Sequence, residues 1–189
     1  MYTRNGHNKY NKTSRLDKYN KSDCCENMPV LNTQIRILGC GNLLMGNDGI
    51  GLKVVEALKK TELKELEGLE ILDAGVCGLD LLNLLDGVRK VIIVDAILAG
   101  GLPGYIYHFS GREIIENPQP SVLVSMHDLG ISEVLKIGEK VQVLPEISIF
   151  GIEIGKPATE FSLGLSPEVI KAVDEVVKLI IEEIIEFTD

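Results

Sequence analysis

Three aspartates and one histidine are the residues of this sequence whose types and positions suit chemistry. Asp48, Asp73 and Asp95 each follow an apolar segment typical of a strand, and His127 stands at the exit of a loop. In an open parallel sheet, ligands bind at the carboxyl ends of the strands, beside the point where the strand order reverses. We therefore expect the three aspartates to face one cleft that His127 can also reach.

Two carboxylates and a histidine form an oxygen and nitrogen set with two chemical uses. Such a set binds a divalent transition metal, or it supplies the base and the orienting groups for a hydrolytic water. Structural interpretations compete with this one, because Asp48 can cap a helix and His127 can be an ordinary loop histidine. Asp95 is harder to explain by structure alone, since burying a carboxylate without a partner is costly.

The stretch that positions Asp48 covers residues 35–51, IRILGCGNLLMGNDGIG. Its apolar start predicts a strand, and Gly39 and Gly41 allow a tight turn after that strand. The apolar residues that follow recur at helical spacing, so we predict an amphipathic helix that begins near Asn47 or Asp48. A strand, a glycine turn and a helix make one half of a βαβ unit.

The rest of the chain repeats this alternation of strand and helix. We predict further strands at 69–73, 90–95, 105–109 and 146–154, and further helices at 79–85, 128–141 and 166–187. The continuous apolar run at 90–95 is typical of a central parallel strand covered on both faces, and 105–109 suits an edge strand. Residues 111–125, which contain two prolines, are predicted to form a long loop. The fold class is therefore α/β with a mostly parallel sheet.

One folded domain with an N-terminal extension accounts for the composition. Residues 1–32 are rich in Asn, Lys, Ser and Tyr and have almost no apolar periodicity, so we predict a disordered extension there. Residues 33–189 are predicted to form a single α/β domain, and 45% hydrophobic with 25% charged residues is ordinary for a globular protein.

The charge, the hydrophobic pattern and the cysteine content indicate which partners and which cellular compartment to expect. The net charge is −9, and residues 1–28 hold an excess of basic residues, so the predicted domain is more acidic still and suits nucleic acid poorly. No apolar run approaches the roughly 18 residues of a membrane span, so no membrane partner is expected. The four cysteines lack the spacing of a zinc site or a redox pair, which favours a reduced, cytoplasmic protein.

A dinucleotide site is the competing interpretation of the glycine turn. Gly39 and Gly41 resemble the start of a GxGxxG fingerprint, and Asp73 ends the second strand where a ribose-binding acid is expected. The third glycine position, however, is Leu44, and the predicted helix begins too late for its N-terminus to receive a pyrophosphate.

Five segments together resemble a known family. GCGNLLMGNDGIG resembles the GxGNxLxxDDGxG signature of the nickel-iron hydrogenase maturation endopeptidases, which process the C-terminus of the hydrogenase large subunit. The resemblance continues in LDAGVCGLDLL, IIVDAI, SMHDLGISEVL, and IFGIEI followed by GLSPEV. It covers about residues 35–185 in the expected order.

The resemblance implies a fold, a site and an activity. The implied fold is a phosphorylase/hydrolase-like three-layer α/β/α domain, whose mixed five-stranded sheet has the order 2-1-3-5-4 with strand 4 antiparallel. Asp48, Asp95 and His127 fall on the metal-binding and catalytic positions of the family. The implied activity is that of a cytoplasmic, aspartic-type endopeptidase, which removes the C-terminal extension of a hydrogenase large-subunit precursor. The sequence leaves the oligomeric state open, with a monomer favoured.

Two further points follow from the resemblance. Nickel is the expected metal, carried by the precursor and read by the three residues as a recognition element. The first acid of the signature pair is Asn47 here, which removes one negative charge beside the expected site. The alternative from another class is a noncatalytic module of the same fold that binds metal or peptide without cutting.

Overall fold

The computed structural model describes residues 34–76, 78–116, 130–157 and 159–188. In these ranges the strands are β1 (Ile35–Cys40), β2 (Leu69–Gly75), β3 (Lys90–Ile97), β4 (Ile106–Ser110) and β5 (Glu146–Glu153). The helices are α1 (Ile50–Leu58), α2 (Leu81–Leu85), α3 (Gly111–Glu116), α4 (Ile131–Val141) and α5 (Pro167–Thr188). Short 3-10 turns lie at Gly46–Gly49, Glu62–Glu65 and Gly78–Asp80.

The strands form one mixed sheet of order β2-β1-β3-β5-β4. β1 pairs in parallel with β2 and β3, β3 pairs in parallel with β5, and β4 runs antiparallel to β5. The predicted α/β class, strand order and antiparallel edge strand are confirmed. The carboxyl ends of β1, β2, β3 and β5 therefore share one edge of the sheet.

Helices cover both faces of this sheet. Every residue of β3 is buried, as predicted for a central strand. Ile92, Val94 and Ala96 pack with the apolar faces of α1 and α5, whereas Val91 and Ile93 pack with α2, α3 and α4. Alternate residues of a strand point to opposite faces, so Asp95 points to the α2 and α4 side of the sheet.

Two boundaries differ from the sequence prediction. The first helix was predicted from Asn47 or Asp48, but both lie in the 3-10 turn Gly46–Gly49, and α1 begins at Ile50. The predicted loop over 111–125 is wrong at its start, because Gly111–Glu116 is helical.

A capping box explains that short helix. The backbone N–H of Ser110 donates to Glu113 Oε2 at 2.8 Å, and the Glu113 N–H donates back to Ser110 Oγ at 3.2 Å.

Several predictions fall on parts of the chain outside the described ranges. These are the disordered extension at 1–32, the rest of the loop at 117–125, the first residues of the helix predicted at 128–141, and His127. Of the four cysteines, Cys40 is described, and it is buried at the end of β1.

Candidate active site

Asp48 lies in the 3-10 turn that follows β1, at the carboxyl edge of the sheet, and only 4% of it is exposed. Gly41 brings the turn this close, since it has φ +123° and a Cβ there would lie 1.9 Å from the Asp48 carbonyl oxygen. A side chain at position 41 would push the turn away from the sheet. The glycine therefore sets where the carboxylate is presented.

Two further glycines allow the start of α1 to pack closely against β1 and β3. A Cβ on Gly51 would lie 2.3 Å from the carbonyl oxygens of both Cys40 and Val94, and a Cβ on Gly39 would lie 2.4 Å from the Gly51 carbonyl oxygen. Val94 directly precedes Asp95, and the turn that carries Asp48 contacts β3. The glycines thus bring the Asp48 turn against the strand that supplies Asp95.

Asp95 is buried near the end of β3, with 7% exposure. Its Oδ1 accepts a hydrogen bond from the Ala96 backbone N–H at 2.8 Å, which fixes the carboxylate against its own strand. Its neighbour across the parallel pair with β5 is Gly151, so no side chain opposes it there.

Asp73 behaves differently from Asp48 and Asp95. It is exposed within β2, in register with Gly39, and its Oδ1 accepts the Gly75 N–H at 3.0 Å. This bond belongs to an Asx turn, a common structural use of aspartate. Asp73 therefore lies at the predicted edge but serves the local turn, which makes it a natural control for the two buried aspartates.

His127 lies outside the described residues, so its place relative to Asp48 and Asp95 stays a prediction. Among the residues that the structure describes, no cluster of three or more His, Cys, Asp or Glu side chains has metal-binding geometry. The described part of the proposed set therefore consists of the two carboxylates.

Asn47, the position that departs from the family signature, joins three parts of the chain. Its Oδ1 accepts the Ser166 N–H at 2.7 Å, and its Nδ2 donates to the Ile154 carbonyl oxygen at 3.4 Å. An aspartate could accept from Ser166 but could not donate to Ile154 when ionised. Asn47 thus links the residue after β5 and the start of α5 to the turn that carries Asp48.

Glu153 is a buried residue near this edge that the sequence analysis did not single out. It is 0% exposed at the end of β5. Its Oε2 accepts the N–H groups of Ala99 at 2.7 Å and Gly101 at 3.1 Å, and its Oε1 accepts the Gly155 N–H at 2.9 Å. The carboxylate therefore holds the glycine-rich loop that leaves β3 two residues after Asp95. A glutamate inside the apolar run EISIFGIEI was the available signal.

The Tyr107 phenol lies beside this loop, and its pKa depends on the charge there. A Cβ on Gly101 would lie 2.4 Å from the Tyr107 hydroxyl oxygen. Burial raises the pKa of Tyr107 above its ordinary value, and the charges of Glu153 and Tyr105 raise it further. The Tyr107 phenol is therefore partly buried and lies close to the negative charge of Glu153.

The start of α1 also decides against the dinucleotide interpretation. A dinucleotide site requires the helix to follow the glycine turn directly, so that its N-terminal N–H groups meet the pyrophosphate. Here α1 begins only at Ile50, and a 3-10 turn with buried Asp48 stands between Gly41 and the helix. An aspartate at that place would repel a phosphate.

Comparison with known proteins gives a consistent result. The family model for HycI, described as hydrogenase maturation protease, matches residues 52–183. A Methanocaldococcus jannaschii protein that carries the name of a hydrogenase maturation protease is 37% identical over 167 residues, covering 79% of this chain and 96% of that protein. The coenzyme F420 hydrogenase subunit delta of Methanothermobacter thermautotrophicus is 31% identical over 158 residues, covering 81% of this chain and 96% of that protein.

A solved structure agrees with these relatives. The hydrogenase maturating endopeptidase HybD from Escherichia coli superposes with a TM-score of 0.67 at 27% identity, covering 81% of this chain and 93% of that chain. In the described residues of our chain, no helix is long and apolar enough to cross a membrane.

The family model spans most of the predicted domain, and the fold agrees with that of a solved member. The family is described as one of hydrogenase maturation proteases, and the solved member is a hydrogenase maturating endopeptidase. The chain therefore belongs to the hydrogenase maturation protease family.

Proposed function

We propose that this peptidase removes the C-terminal extension of a nickel-loaded hydrogenase large-subunit precursor, and that the nickel of the precursor is its recognition element. The observation that carries the proposal is that Asp48 and Asp95 lie at the same edge of the sheet, on a turn and a strand that contact each other. Both are buried aspartates, they come from different strand ends, and the packing of Gly51 against Val94 holds their backbones together. The carboxyl edge of an open parallel sheet is where ligands bind, so carboxylates at this edge are placed to act on a bound substrate.

The two carboxylates and His127 form the proposed recognition and catalytic set. Carboxylate oxygen and imidazole nitrogen are ligands suited to a divalent transition metal such as the nickel of the substrate. The same groups can accept a proton from the water that attacks the scissile carbonyl. In this proposal the precursor becomes correctly seated only when its nickel is present, so recognition and cutting are coupled.

The rate acceleration that peptide hydrolysis needs favours a metal-assisted reaction over catalysis by a general base alone. A positioned general base accelerates a reaction by about 10²- to 10⁴-fold, which is small beside the barrier to peptide hydrolysis. A metal that polarises the carbonyl contributes several kcal/mol more to transition-state stabilisation. Nickel held by the substrate would supply this contribution at the cleavage site.

Mass spectrometry of the precursor tests this function. Incubation with our protein should shorten the nickel-loaded precursor by its C-terminal extension and leave the nickel-free precursor intact. Equal shortening of both forms would contradict the role of nickel, and no shortening of either would contradict the proposed activity.

One similarity favours a second candidate function. The relative named as a hydrogenase subunit, with 31% identity, suggests a noncatalytic member that binds a hydrogenase without cutting it. The same experiment separates the two, because a noncatalytic module would co-purify with the precursor while its mass stayed unchanged.

The proposed setting is the cytoplasm, with a monomeric, aspartic-type enzyme. The cytoplasmic setting and the aspartic type follow the family resemblance of the sequence, which leaves the oligomeric state open. Sedimentation of the purified full chain would test the oligomeric state.

A further inference from the structure

The segment before α5 runs alongside the loop that carries Asp48. Ser162 forms a parallel bridge with Met45, in which the Gly46 N–H donates to the Ser162 carbonyl oxygen at 2.8 Å. The Ser162 N–H donates in turn to the Leu44 carbonyl oxygen at 2.9 Å. Four residues later, Ser166 donates to Asn47. The segment and the loop are therefore held in a defined register.

Large apolar side chains stand exposed along this pair of segments. Phe161 is 84% exposed and Leu163 is 83% exposed, and Leu43 and Leu44 are exposed as well. Alternate residues of an extended segment share a side, so Phe161 and Leu163 lie together on the side opposite Ser162. We call these four residues, Leu43, Leu44, Phe161 and Leu163, the apolar rim.

The apolar rim adjoins the proposed active site. Leu43 packs over Gly49, the residue after Asp48, because its Cδ2 lies 3.1 Å from the place of a Cβ on Gly49. The Met45 carbonyl oxygen accepts the Asp48 N–H at 3.2 Å, so the chain that carries the rim leucines continues directly into the Asp48 turn. A peptide that reaches Asp48 from this side must cross the rim.

We propose that the apolar rim docks an apolar segment of the hydrogenase large-subunit precursor next to its cleavage site. This inference rests on the proposed function, which requires the precursor to lie against Asp48 and Asp95. The rim residues are exposed leucine and phenylalanine side chains on two hydrogen-bonded segments, and a concentration of exposed apolar side chains is typical of a protein interaction site. The rim side chains carry no charge, so they select apolar side chains of the precursor.

The hydrogen bonds between the two segments pre-organise the backbone of the apolar rim for binding. Its two halves are tied by backbone hydrogen bonds and by Asn47, so little conformational freedom remains to be lost when the precursor docks. Asn47 also couples docking to the Asp48 turn, since the rim and the turn share the loop from Leu43 to Asn47.

Steady-state kinetics with a matched control tests the proposal. The test variant is Phe161→Ser with Leu163→Ser, and the control is Val141→Ser with Val143→Ser. The control valines are also exposed, but Val141 ends α4 and Val143 lies in the segment before β5, at the opposite edge of the sheet. All four positions are on the surface, so both variants should fold, which circular dichroism and thermal unfolding would verify.

The expected result is a change in KM alone. With the nickel-loaded precursor as substrate, the rim variant should raise KM about tenfold or more, because two large apolar contacts are lost. Its kcat should stay within about twofold of wild type, since the rim does not touch the reacting atoms. The control should match wild type in both constants.

A rim variant with the KM of wild type would overturn the proposal. Sedimentation of wild type and variant would then show whether the rim is instead an interface between two copies, which the variant would lose. If wild type itself fails to shorten the precursor, the proposed function fails, whereas unchanged KM in an active variant refutes only the rim.

Discussion

Replacing Glu153 by glutamine should destabilise the protein by about 3.5 to 5 kcal/mol. The carboxylate accepts three backbone N–H groups at 2.7, 3.1 and 2.9 Å, and it is fully buried. Glutamine keeps one acceptor oxygen, which can stay with Ala99 and Gly101, and it turns an NH2 group toward the Gly155 N–H. One hydrogen bond to a charged group is lost, at about 1.5 to 3 kcal/mol, and the two that remain weaken by about 1 kcal/mol each.

Urea unfolding of wild type and Glu153→Gln at pH 7 measures this loss, with the m-values compared so that the two free energies of unfolding can be subtracted. Glu160→Gln is the control, because Glu160 is exposed on the segment that follows. We expect the control to change the free energy of unfolding by less than about 0.5 kcal/mol. A loss below about 1 kcal/mol in Glu153→Gln would refute the assigned role of the carboxylate.

A second readout of the same variant is independent of stability. The charge of Glu153 contributes to the raised pKa of Tyr107, after burial as the larger cause. Neutral glutamine should therefore let the Tyr107 phenol titrate at lower pH than in wild type. Proton NMR of labelled tyrosine rings would follow this titration, and an unchanged Tyr107 pKa would contradict the proximity of the two groups.

Three other predictions concern the opposite edge of the sheet and the first turn of α1. Lys90→Met should lower the free energy of unfolding, measured with urea, by about 3 to 5 kcal/mol. The reason is that Glu183, whose Oε1 lies 3.0 Å from the buried Lys90 ammonium, loses that partner. The double variant Lys90→Met with Glu183→Gln should recover most of this loss. Burial raises the pKa of Glu183, but the hydrogen bond from His108 and the charge of Lys90 outweigh this and lower it below 4.5. The Glu183 contribution to stability should be present above pH 4.5 and be lost as the pH falls through the lowered value, so an equal acid response of Glu183→Gln and wild type would contradict it. Gly51→Ala places a Cβ 2.3 Å from the carbonyl oxygens of Cys40 and Val94, so it should lower the free energy of unfolding by about 1 to 3 kcal/mol. It should also reduce precursor cleavage by more than the loss of folded protein explains. Cleavage at the wild-type rate would show that this contact does not position Asp48.

Local patterns predicted the strands and the edge where the aspartates lie. The apolar run of β3 and the glycines after β1 are features of adjacent residues, so they can be read directly from the sequence. The order of the strands came from the family resemblance, since pairing between strands distant in the chain leaves no local signal. The helix Gly111–Glu116 had a local signal in Ser110 and Glu113, but the prolines that follow suggested a loop.

Contacts between distant residues account for what the sequence did not predict. The partners of Asn47 are 107 and 119 residues away, and those of Glu153 in the loop after β3 are 52 and 54 residues away. No spacing rule connects residues so far apart. The link that Asn47 makes between Ile154, Ser166 and the Asp48 turn therefore depends on how β5 and α5 pack beside that turn.

Asp48 and Asp95 are proposed to act on the precursor, and the rate of precursor cleavage by Asp95→Asn tests this role. The substitution keeps an oxygen to accept the Ala96 N–H but removes the anionic carboxylate. With nickel-loaded precursor, we predict that cleavage by Asp95→Asn falls at least about 100-fold, while the exposed control Asp73→Asn cuts at the wild-type rate. Cleavage by Asp95→Asn at the wild-type rate would contradict a role of Asp95 in cleavage.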